Sequence, residues 1–471
     1  MKIESITKTL YIPIEIFDRE LGGALILSVE AAKNGWTVIL GGKQALFENM
    51  YRFSNSPGVF YLKSIVPGEV FKQDEIISLG HRIVSLDIEG LVRTSGSSGV
   101  KLRFSEQSIE RSDLIFFWGE DQYNAVKKYY PQVQSKGKIT GGPTIDELLI
   151  KKNNLVIPNL NRTKILIGTS CAFANNINGK DYPLQMTRNA YSGNLNDKEI
   201  LNIESNAKRD VEVFNYWKNI IPIIAKTYPD FDVVIRPHPT ENADFWKSFL
   251  SEFKNVRIDS GSPIFNELIN SSVYIHFNST STITSTILGI PTIMVIPDLE
   301  EYMIENCSFV KNISTLAYSS KDLIASINES INLVGSKKVS DELNYYCENL
   351  KINSLSASQK IIGELENYYK FIAQPFSIIP PNYLIVLRSN LRKFKFFVLW
   401  FYGFIYRYLY NENSLKFPPR NAYKNAKIKQ PYISRDKVLS DLNKLFKNGF
   451  VDNIEIKELS NNIFKINYNN E

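Results

Sequence analysis

The sequence contains few of the residues that build disulfide frameworks or metal sites. Three cysteines and three histidines occur among its 471 residues. The cysteines (Cys171, Cys307 and Cys347) are odd in number and far apart, which argues against a disulfide framework and indicates a reducing compartment. Neither residue type shows the spacing of metal ligands, and we expect neither a metal ion nor another cofactor.

Long apolar segments are also missing. The N-terminus, Met1-Lys-Ile-Glu-Ser-Ile-Thr7, lacks the apolar centre of a signal peptide. The uncharged core of the most aromatic stretch, Phe396 to Tyr406, has 11 residues, whereas a membrane-spanning helix needs about 20. We therefore predict a cytoplasmic protein that lies peripherally on the inner face of the cytoplasmic membrane.

The formal net charge of +6 is concentrated in one part of the chain. Residues 381–430 hold ten Lys or Arg residues and one acid, Glu412, which gives a local +9 and leaves −3 (6 minus 9) for the rest. A nucleic-acid binder would not show this distribution. Because aromatic residues accompany the basic ones, we predict that 388–429 contacts an anionic membrane surface. The alternative is a buried helix whose basic side chains snorkel to water.

Strand and helix patterns alternate through most of the chain. Leu10–Ile16, a helix and then Trp36–Leu40 form a βαβ opening, and a polar stretch at 151–163 predicts a linker. A short helix from Ser434 and a hairpin at Asn461-Asn462 are predicted near the C-terminus. At this length we expect two Rossmann-like α/β domains and a tail, with limits at 1–155, 160–375 and 376–471.

Two polar loops follow strands in the second half. The first is Arg236-Pro-His-Pro239, and the second, Asn278-Ser-Thr-Ser-Thr282, opens a helix. Such loops meet at the carboxyl ends of parallel strands, where free N–H groups and hydroxyls at a helix N-terminus bind anions. We predict a nucleotide phosphate site here, although ordinary helix caps and a stiff loop are the alternative. The candidate donor- and phosphate-binding residues are Arg236, His238, Glu241, His276, Asn278, Ser279, Thr280, Ser281 and Thr282.

Two carboxylates, Asp87 and Glu89, flank the end of a strand at 82–87 and lead into a Gly/Ser loop. A carboxylate at a strand end acts as a general base or as a nucleophile toward a sugar carbon. An Asp-x-Glu pair also suits a divalent metal, and a solvated turn acid is the plain structural alternative. Asp87, Glu89 and His238 are the candidate catalytic residues.

Together these motifs resemble bacterial surface-carbohydrate biosynthesis proteins: GT-B-like glycosyltransferases with an Arg-Pro-His-Pro motif, including the Kdo transferases of capsule assembly. The chain is more distantly similar to bacterial sialyltransferases and to CDP-glycerol glycerophosphotransferases. The resemblance covers about residues 8–330. It is carried by Arg19-Glu20, Glu89-Gly-Leu-Val-Arg-Thr-Ser-Gly96, Trp118-Gly119, Thr140-Gly-Gly-Pro143, Arg236-Pro-His-Pro239 and His276-Phe-Asn-Ser-Thr280.

The resemblance implies a GT-B-like fold, in which two Rossmann-like domains face a cleft. It implies transfer of an acidic sugar, Kdo or another ulosonate, from a CMP-activated donor to a glycan or lipid-linked acceptor of capsule or lipopolysaccharide. The histidine of the Arg-Pro-His-Pro motif and the Ser/Thr loop would hold the CMP phosphate, and the carboxylate before the glycine would be catalytic. The acceptor-side candidates are Arg19, Glu20, Arg93 and Ser95.

The sequence departs from the family pattern at two places. The family carries two acids immediately before the glycine, whereas Ile88 occupies the first of these positions, so either Glu89 or Asp87 is the acting carboxylate. Thr284 stands where relatives carry a glutamate that binds the ribose. Three alternatives therefore stay open: a polyol-phosphate transferase, a nucleotide-sugar epimerase of the same fold, and a non-catalytic assembly factor recruited to the membrane.

Overall fold

The computed structural model describes most of the chain between residues 6 and 469. The described residues are 6–50, 57–89, 100–101, 103–154, 163–179, 182, 185, 197–297, 310–311, 313–332, 356–372, 431–446 and 453–469. Within them lie two β-sheets with helices packed against the strands.

The first sheet is built from short buried runs rich in β-branched and aromatic residues, the composition of strands that are covered on both faces. Its parallel strands are β1 (Thr9–Ile14), β2 (Thr37–Gly42), β3 (Val59–Leu62), β4 (Arg82–Leu86), β5 (Leu114–Phe117) and β6 (Gly137–Ile139). They pair in the order β2-β1-β3-β4-β5-β6. The helices between them are α1 (Phe17–Lys33), α2 (Lys43–Glu48), α3 (Val70–Ser78), α4 (Glu106–Arg111), α5 (Glu120–Tyr129) and α6 (Pro143–Asn154), with 3₁₀ turns at Pro67–Glu69 and Pro131–Ser135.

The second sheet is parallel throughout its described strands. These are β7 (Lys164–Gly168), β8 (Asp232–Arg236), β9 (Val256–Ile258), β10 (Val273–His276), β11 (Thr292–Val295) and β12 (Thr315–Ala317). They pair in the order β12-β11-β10-β7-β8-β9, so the chain progresses from β7 first to one side and then, from β10 onward, to the other. This is the doubly wound order of Rossmann folds. The helices are α7 (Asp197–Thr227), α8 (Ala243–Phe249), α9 (Ile264–Leu268), α10 (Ser281–Leu288) and α11 (Ser320–Ile331).

The C-terminal elements pack on the first sheet rather than on the second. They are α12 (Ala357–Ile372), α13 (Arg435–Leu445), β13 (Ile454–Ser460) and β14 (Ile463–Tyr468). Both α12 and α13 contact α1 and α6. The hairpin turns at Asn462, which has a positive φ of 59°, and β14 pairs antiparallel with β2, with Phe464 opposite Leu40. The predicted helix and hairpin are confirmed, and the hairpin extends the first sheet to eight strands.

Two carboxylates fix α12 to the first sheet. The buried carboxylate of Asp146, on α6, accepts the backbone N–H groups of Ala357 (2.9 Å) and Ser358 (2.8 Å), which caps the start of α12. Burial raises the pKa of Asp146, and the hydrogen bonds from Ser358 and Ala357 oppose that rise. Farther along the helix, Glu366 pairs with Lys8 at 2.8 Å and accepts the indole N–H of Trp36 at 2.5 Å.

The predicted α/β class with two Rossmann-like sheets is confirmed. The domain limits at 155, 160 and 375 stay predictions, and the basic aromatic segment at 388–429 lies outside the described residues. Among the helices that the structure describes, none is both long enough and apolar enough to cross a membrane.

Candidate functional site

The carboxyl ends of β7, β8 and β10 lie side by side at the centre of the second sheet. Strand order reverses between β7 and β10, and ligands of open α/β sheets bind outside the strand ends at such a switch point. The loop after β7 begins with Thr169-Ser170-Cys171, in which Ser170 has a φ of 52°, an uncommon conformation for a residue other than glycine. The loops after β8 and β10 carry the predicted phosphate-binding residues.

The hydroxyl-rich loop after β10 opens α10, as predicted. The helix begins at Ser281 with Thr280 as its N-cap. The hydroxyl of Ser279 accepts the N–H of Ser281 (3.2 Å) and bonds the hydroxyl of Tyr274 (2.9 Å). Among the described residues, no acceptor takes the backbone N–H of Ser279 or Thr280. Two N–H groups and the exposed side chain of Thr280 are therefore available to an anion at a helix N-terminus.

His238, in the loop after β8, is exposed. Its Nδ1 accepts the backbone N–H of Thr240 (3.3 Å) and lies 2.8 Å from the hydroxyl of the same residue. An Nδ1 that accepts a hydrogen bond leaves the proton of the neutral ring on Nε2. In the neutral ring, Nε2 is then the nitrogen that donates.

Arg236, the last residue of β8, is engaged within the protein. Its guanidinium donates to the Asp259 carboxylate (2.5 Å) and to the Ser262 carbonyl (2.5 Å). Burial acts to raise the pKa of Asp259, but hydrogen bonds from Ser262 and Gly261 and the charge of Arg236 bring it below its ordinary value. The structure places Arg236 at the predicted edge, with much of its charge balanced by Asp259.

Glu241 braces the loops rather than facing solvent. Its buried carboxylate accepts the N–H groups of His238 (2.9 Å) and Cys171 (2.8 Å), the Thr169 hydroxyl (2.9 Å) and the indole N–H of Trp246 (3.3 Å). Burial raises the pKa of Glu241, and these hydrogen bonds oppose the rise. Glu241 thus joins the loop after β8 to the loop after β7, and its predicted contact with the donor stays a prediction.

His276 and Thr282 are also internal. His276 is fully buried at the end of β10, and its Nε2 lies 3.0 Å from the Thr282 hydroxyl and 3.1 Å from the Ser314 hydroxyl. Burial lowers the pKa of His276 to about 3, so the ring is neutral at pH 7. This pair fixes the first turn of α10 against the sheet, whereas Ser279, Thr280 and Ser281 lie nearer the surface.

In the first sheet, Asp87 and Glu89 differ sharply in exposure. The Asp87 carboxylate is fully buried and accepts hydrogen bonds from the Nε (2.9 Å) and one Nη of Arg103. The Glu89 side chain is 34% exposed and accepts a hydrogen bond from the other Nη at 3.2 Å. Burial raises the pKa of Asp87, and the hydrogen bonds and charge of Arg103 oppose that rise. Of the two candidate carboxylates, Glu89 is the more exposed.

Arg103 contacts both candidate carboxylates, although the sequence did not single it out. It follows the Gly/Ser loop and binds both carboxylates through one planar guanidinium, a geometry that lysine does not reproduce. The carboxylate pair that could have held a metal is therefore bonded to an arginine. The indole N–H of Trp118, from the predicted Trp-Gly motif, donates to the Asp87 carbonyl at 2.8 Å and fixes the strand end.

Two of the four acceptor-side candidates, Arg19 and Glu20, lie at the switch point of the first sheet, between β1 and β3. Glu20 accepts the N–H groups of Glu15 (2.9 Å) and Ile16 (3.1 Å) and pairs with Lys63 at 2.6 Å, while Arg19 is exposed on the first turn of α1. A mostly apolar pocket opens beside them, and its lining includes Ile12, Ile14, Glu20, Lys63, Leu86 and Ile88. The other two candidates, Arg93 and Ser95, lie outside the described residues.

No protein-family model matches the sequence, and no curated protein matches it. Among solved structures, the chain is similar to the UDP-GlcNAc 2-epimerase of Neisseria meningitidis bound to UDP-GlcNAc, with 14% identity and a TM-score of 0.47 over 76% of this chain and 99% of that one. It is also similar to the wall teichoic acid polymerase TagF, with 10% identity and a TM-score of 0.48 over 78% and 90% of the two chains. For the MnaA–UDP structure from S. aureus the identity is 9% and the TM-score 0.48, over 79% and 100%.

Proposed function

We propose that the protein is a glycosyltransferase of surface-polysaccharide biosynthesis that moves an acidic sugar, Kdo or another ulosonate, from CMP to a glycan or lipid-linked acceptor. The observation that carries the proposal is the set of anion-binding groups at the β7/β10 switch point. The N–H groups of Ser279 and Thr280 lie at the start of α10. His238 stands in the loop after β8, which Glu241 holds against the loop after β7.

These groups suit CMP as the leaving group, because CMP carries a single phosphate. Negative charge develops on the phosphate oxygen as the bond to the anomeric carbon breaks. Backbone N–H groups and an imidazole Nε2–H that are already fixed in place stabilise such charge without reorganisation. We propose that no metal ion is needed, which the Mg²⁺ arm of the experiment below tests.

Glu89 is the proposed catalytic carboxylate. It accepts the proton of the acceptor hydroxyl as that oxygen attacks the anomeric carbon, or it attacks that carbon itself and is later displaced by the acceptor. Its exposure, and its contact with a guanidinium that Asp87 holds, support Glu89 over Asp87 for either course.

The test is thermal unfolding of the full chain with CMP, CDP, UDP, GDP or ADP, each with and without Mg²⁺. A ligand at 100 times its Kd that binds only the folded state stabilises it by about 2.7 kcal/mol. We expect CMP to raise the melting temperature whether or not Mg²⁺ is present, and acidic-sugar transfer from CMP-Kdo or CMP-sialate to follow. A response to CDP or UDP alone would instead favour the polyol-phosphate transferase or the epimerase, and no response would favour the assembly factor.

We further propose that 388–429 holds the enzyme on the anionic inner face of the cytoplasmic membrane. The described elements that flank it, α12 and α13, both pack on α1. Removal of everything after residue 375 would strip β14 from β2 as well, so the sharper variant replaces 376–430 with a Gly/Ser linker of equal length. We expect this variant to move from the membrane to the soluble fraction at moderate salt. Unchanged fractionation would contradict the membrane contact.

A further inference from the structure

Arg209 lies where α7 crosses the ends of β7 and β10. The neighbouring Asp210 accepts the backbone N–H of Phe173, in the loop after β7, at 3.1 Å. The guanidinium carbon of Arg209 lies 5.6 Å from the centre of the Phe277 ring, and Phe277 directly follows β10. These two contacts place the guanidinium at the switch point of the second sheet.

This arginine is largely buried and poorly neutralised. Its side chain is 14% exposed, and its Nε is fully enclosed with no hydrogen-bond partner among the described residues. Within the same residues its one ion pair joins an Nη to Asp210 at 3.5 Å, the outer limit of a hydrogen bond. A buried cation whose donors are unmet is costly unless a second partner completes the set.

The neighbouring loop offers further groups to the same partner. After Phe277 the chain continues through Asn278 to the start of α10. The N–H groups of Ser279 and Thr280 follow directly. A guanidinium and two successive N–H groups form a donor set that fits a phosphate group, because guanidinium donors bind phosphate oxygens in pairs.

We propose that Arg209 binds the phosphate of the nucleotide donor, on the side of the switch point away from His238's loop, between β7 and β10. The inference rests on the proposed function in that the ligand is a nucleotide, but it does not depend on which base the nucleotide carries. The competing role is structural, in which the guanidinium only stacks on Phe277. In that case a substitution lowers stability and leaves phosphate affinity unchanged.

The experiment measures by calorimetry the binding of CMP, UMP, cytidine and uridine to the full chain and to two variants. Arg209→Gln removes the positive charge and the paired donors of the guanidinium. Lys208→Gln is the control, because it removes one charge from the adjacent, solvent-exposed position of the same helix. We expect Arg209→Gln to lower the affinity for the nucleotide that the wild type binds by about 10- to 100-fold, the usual loss for hydrogen bonds to a charged group. Nucleoside binding should stay the same, and Lys208→Gln should behave as the wild type.

Unchanged nucleotide affinity in Arg209→Gln, or an equal loss for nucleotide and nucleoside, would overturn the role of Arg209. If Arg209→Gln does not fold, Arg209→Lys carries the test, because it keeps the charge and loses the paired donors: a selective loss for the nucleotide supports the proposal, and wild-type affinity overturns it. If the wild type binds UMP and not CMP, only the assignment of CMP is overturned. The role of Arg209 can then still be tested by comparing UMP binding to the wild type and to Arg209→Gln. A wild type that binds neither nucleotide overturns both.

Discussion

In the first sheet, the charged side chains at the strand ends are paired with one another. Lys43 pairs with Glu69 and Lys63 with Glu20, both at 2.6 Å, and Arg103 binds Asp87. The corresponding edge of the second sheet also has an ion pair, Arg236 with Asp259 at 2.5 Å, but it adds N–H groups, hydroxyls and an imidazole. Two sheets of the same class thus carry different chemistry, because their loops differ and not because their strands do.

Under the proposed function, this contrast divides the sugar transfer between the two sheets. Paired charges hold a reactive carboxylate in position without themselves attracting a second charge, which suits proton transfer or nucleophilic attack by Glu89. Dipolar donors around α10 attract a negative charge as it forms, which suits the departure of a phosphate. A substitution in one sheet should therefore change one half of the reaction and leave the other half as it is.

The largest expected effect is the loss of turnover in Glu89→Gln. Removing a general base or nucleophile should lower kcat by about 10³-fold, while the melting-temperature shift caused by CMP stays the same. Steady-state transfer and thermal unfolding measure the two quantities. Glu106→Gln, an exposed glutamate on α4, is the matched control and should keep wild-type kcat. A Glu89 variant that still turns over normally would remove the carboxylate from the mechanism.

Asp87→Asn should mainly lower the free energy of unfolding. Arg103 would lose its closest counter-charge inside the protein, and breaking a largely buried ion pair costs about 3 kcal/mol. The pair with the more exposed Glu89 contributes only about 0–1 kcal/mol, so Glu89→Gln should remain nearly as stable as the wild type. Urea unfolding of the two variants compares them directly. Equal destabilisation by both would mean that the two carboxylates are not divided in this way.

On the second sheet, His238→Ala should lower kcat by about 10²-fold, because one fixed donor to the leaving phosphate is removed. CMP should bind more weakly and cytidine as before. Thr240→Val keeps the imidazole and removes one partner of its Nδ1, so its loss should be smaller. If CMP and cytidine weakened together in His238→Ala, the histidine would contact the nucleoside and not the phosphate.

The sequence predicts the fold well and the site in part, for a physical reason. Strand–helix alternation and a run of hydroxyls before α10 are local patterns, so the two Rossmann-like sheets and the helix start at Ser281 could be predicted. Burial depends on distant contacts: His276 meets Ser314 and Arg103 meets Asp87, pairs that no spacing rule provides. The attachment of β14 to β2 is likewise a contact between the two ends of the chain.

Glu241 is the one internal residue whose role had a local signal. It stands three positions after His238, and its carboxylate accepts the His238 N–H while its own N–H donates to the His238 carbonyl (2.8 Å). A glutamate that reaches back to the N–H three residues earlier is the geometry of a capping box. The spacing therefore indicated a brace, even though the histidine beside it suggested a ligand contact.

Each sheet packs around a buried histidine, His81 in the first and His276 in the second. Burial lowers the pKa of each to about 3, below the ordinary value near 6.5. The unfolded chain therefore binds these protons between pH 6.5 and 3 while the folded protein does not, so stability is full above pH 6.5 and falls on acidification. Each histidine contributes a slope of about 1.4 kcal/mol per pH unit in that window.

Urea unfolding of His81→Asn and His276→Asn between pH 7.5 and 5 tests this, since each variant should lose one such slope relative to the wild type. Buried Asp87, Asp146 and Glu241 have raised pKa values, so their contribution to stability falls as pH rises and opposes the histidines. Because both variants keep these carboxylates, the difference from the wild type isolates each histidine. If the sheets unfold in separate transitions, the His81 variant should change only the first sheet's transition and the His276 variant only the second's. An unchanged slope in either variant would show that its imidazole gains a proton without unfolding.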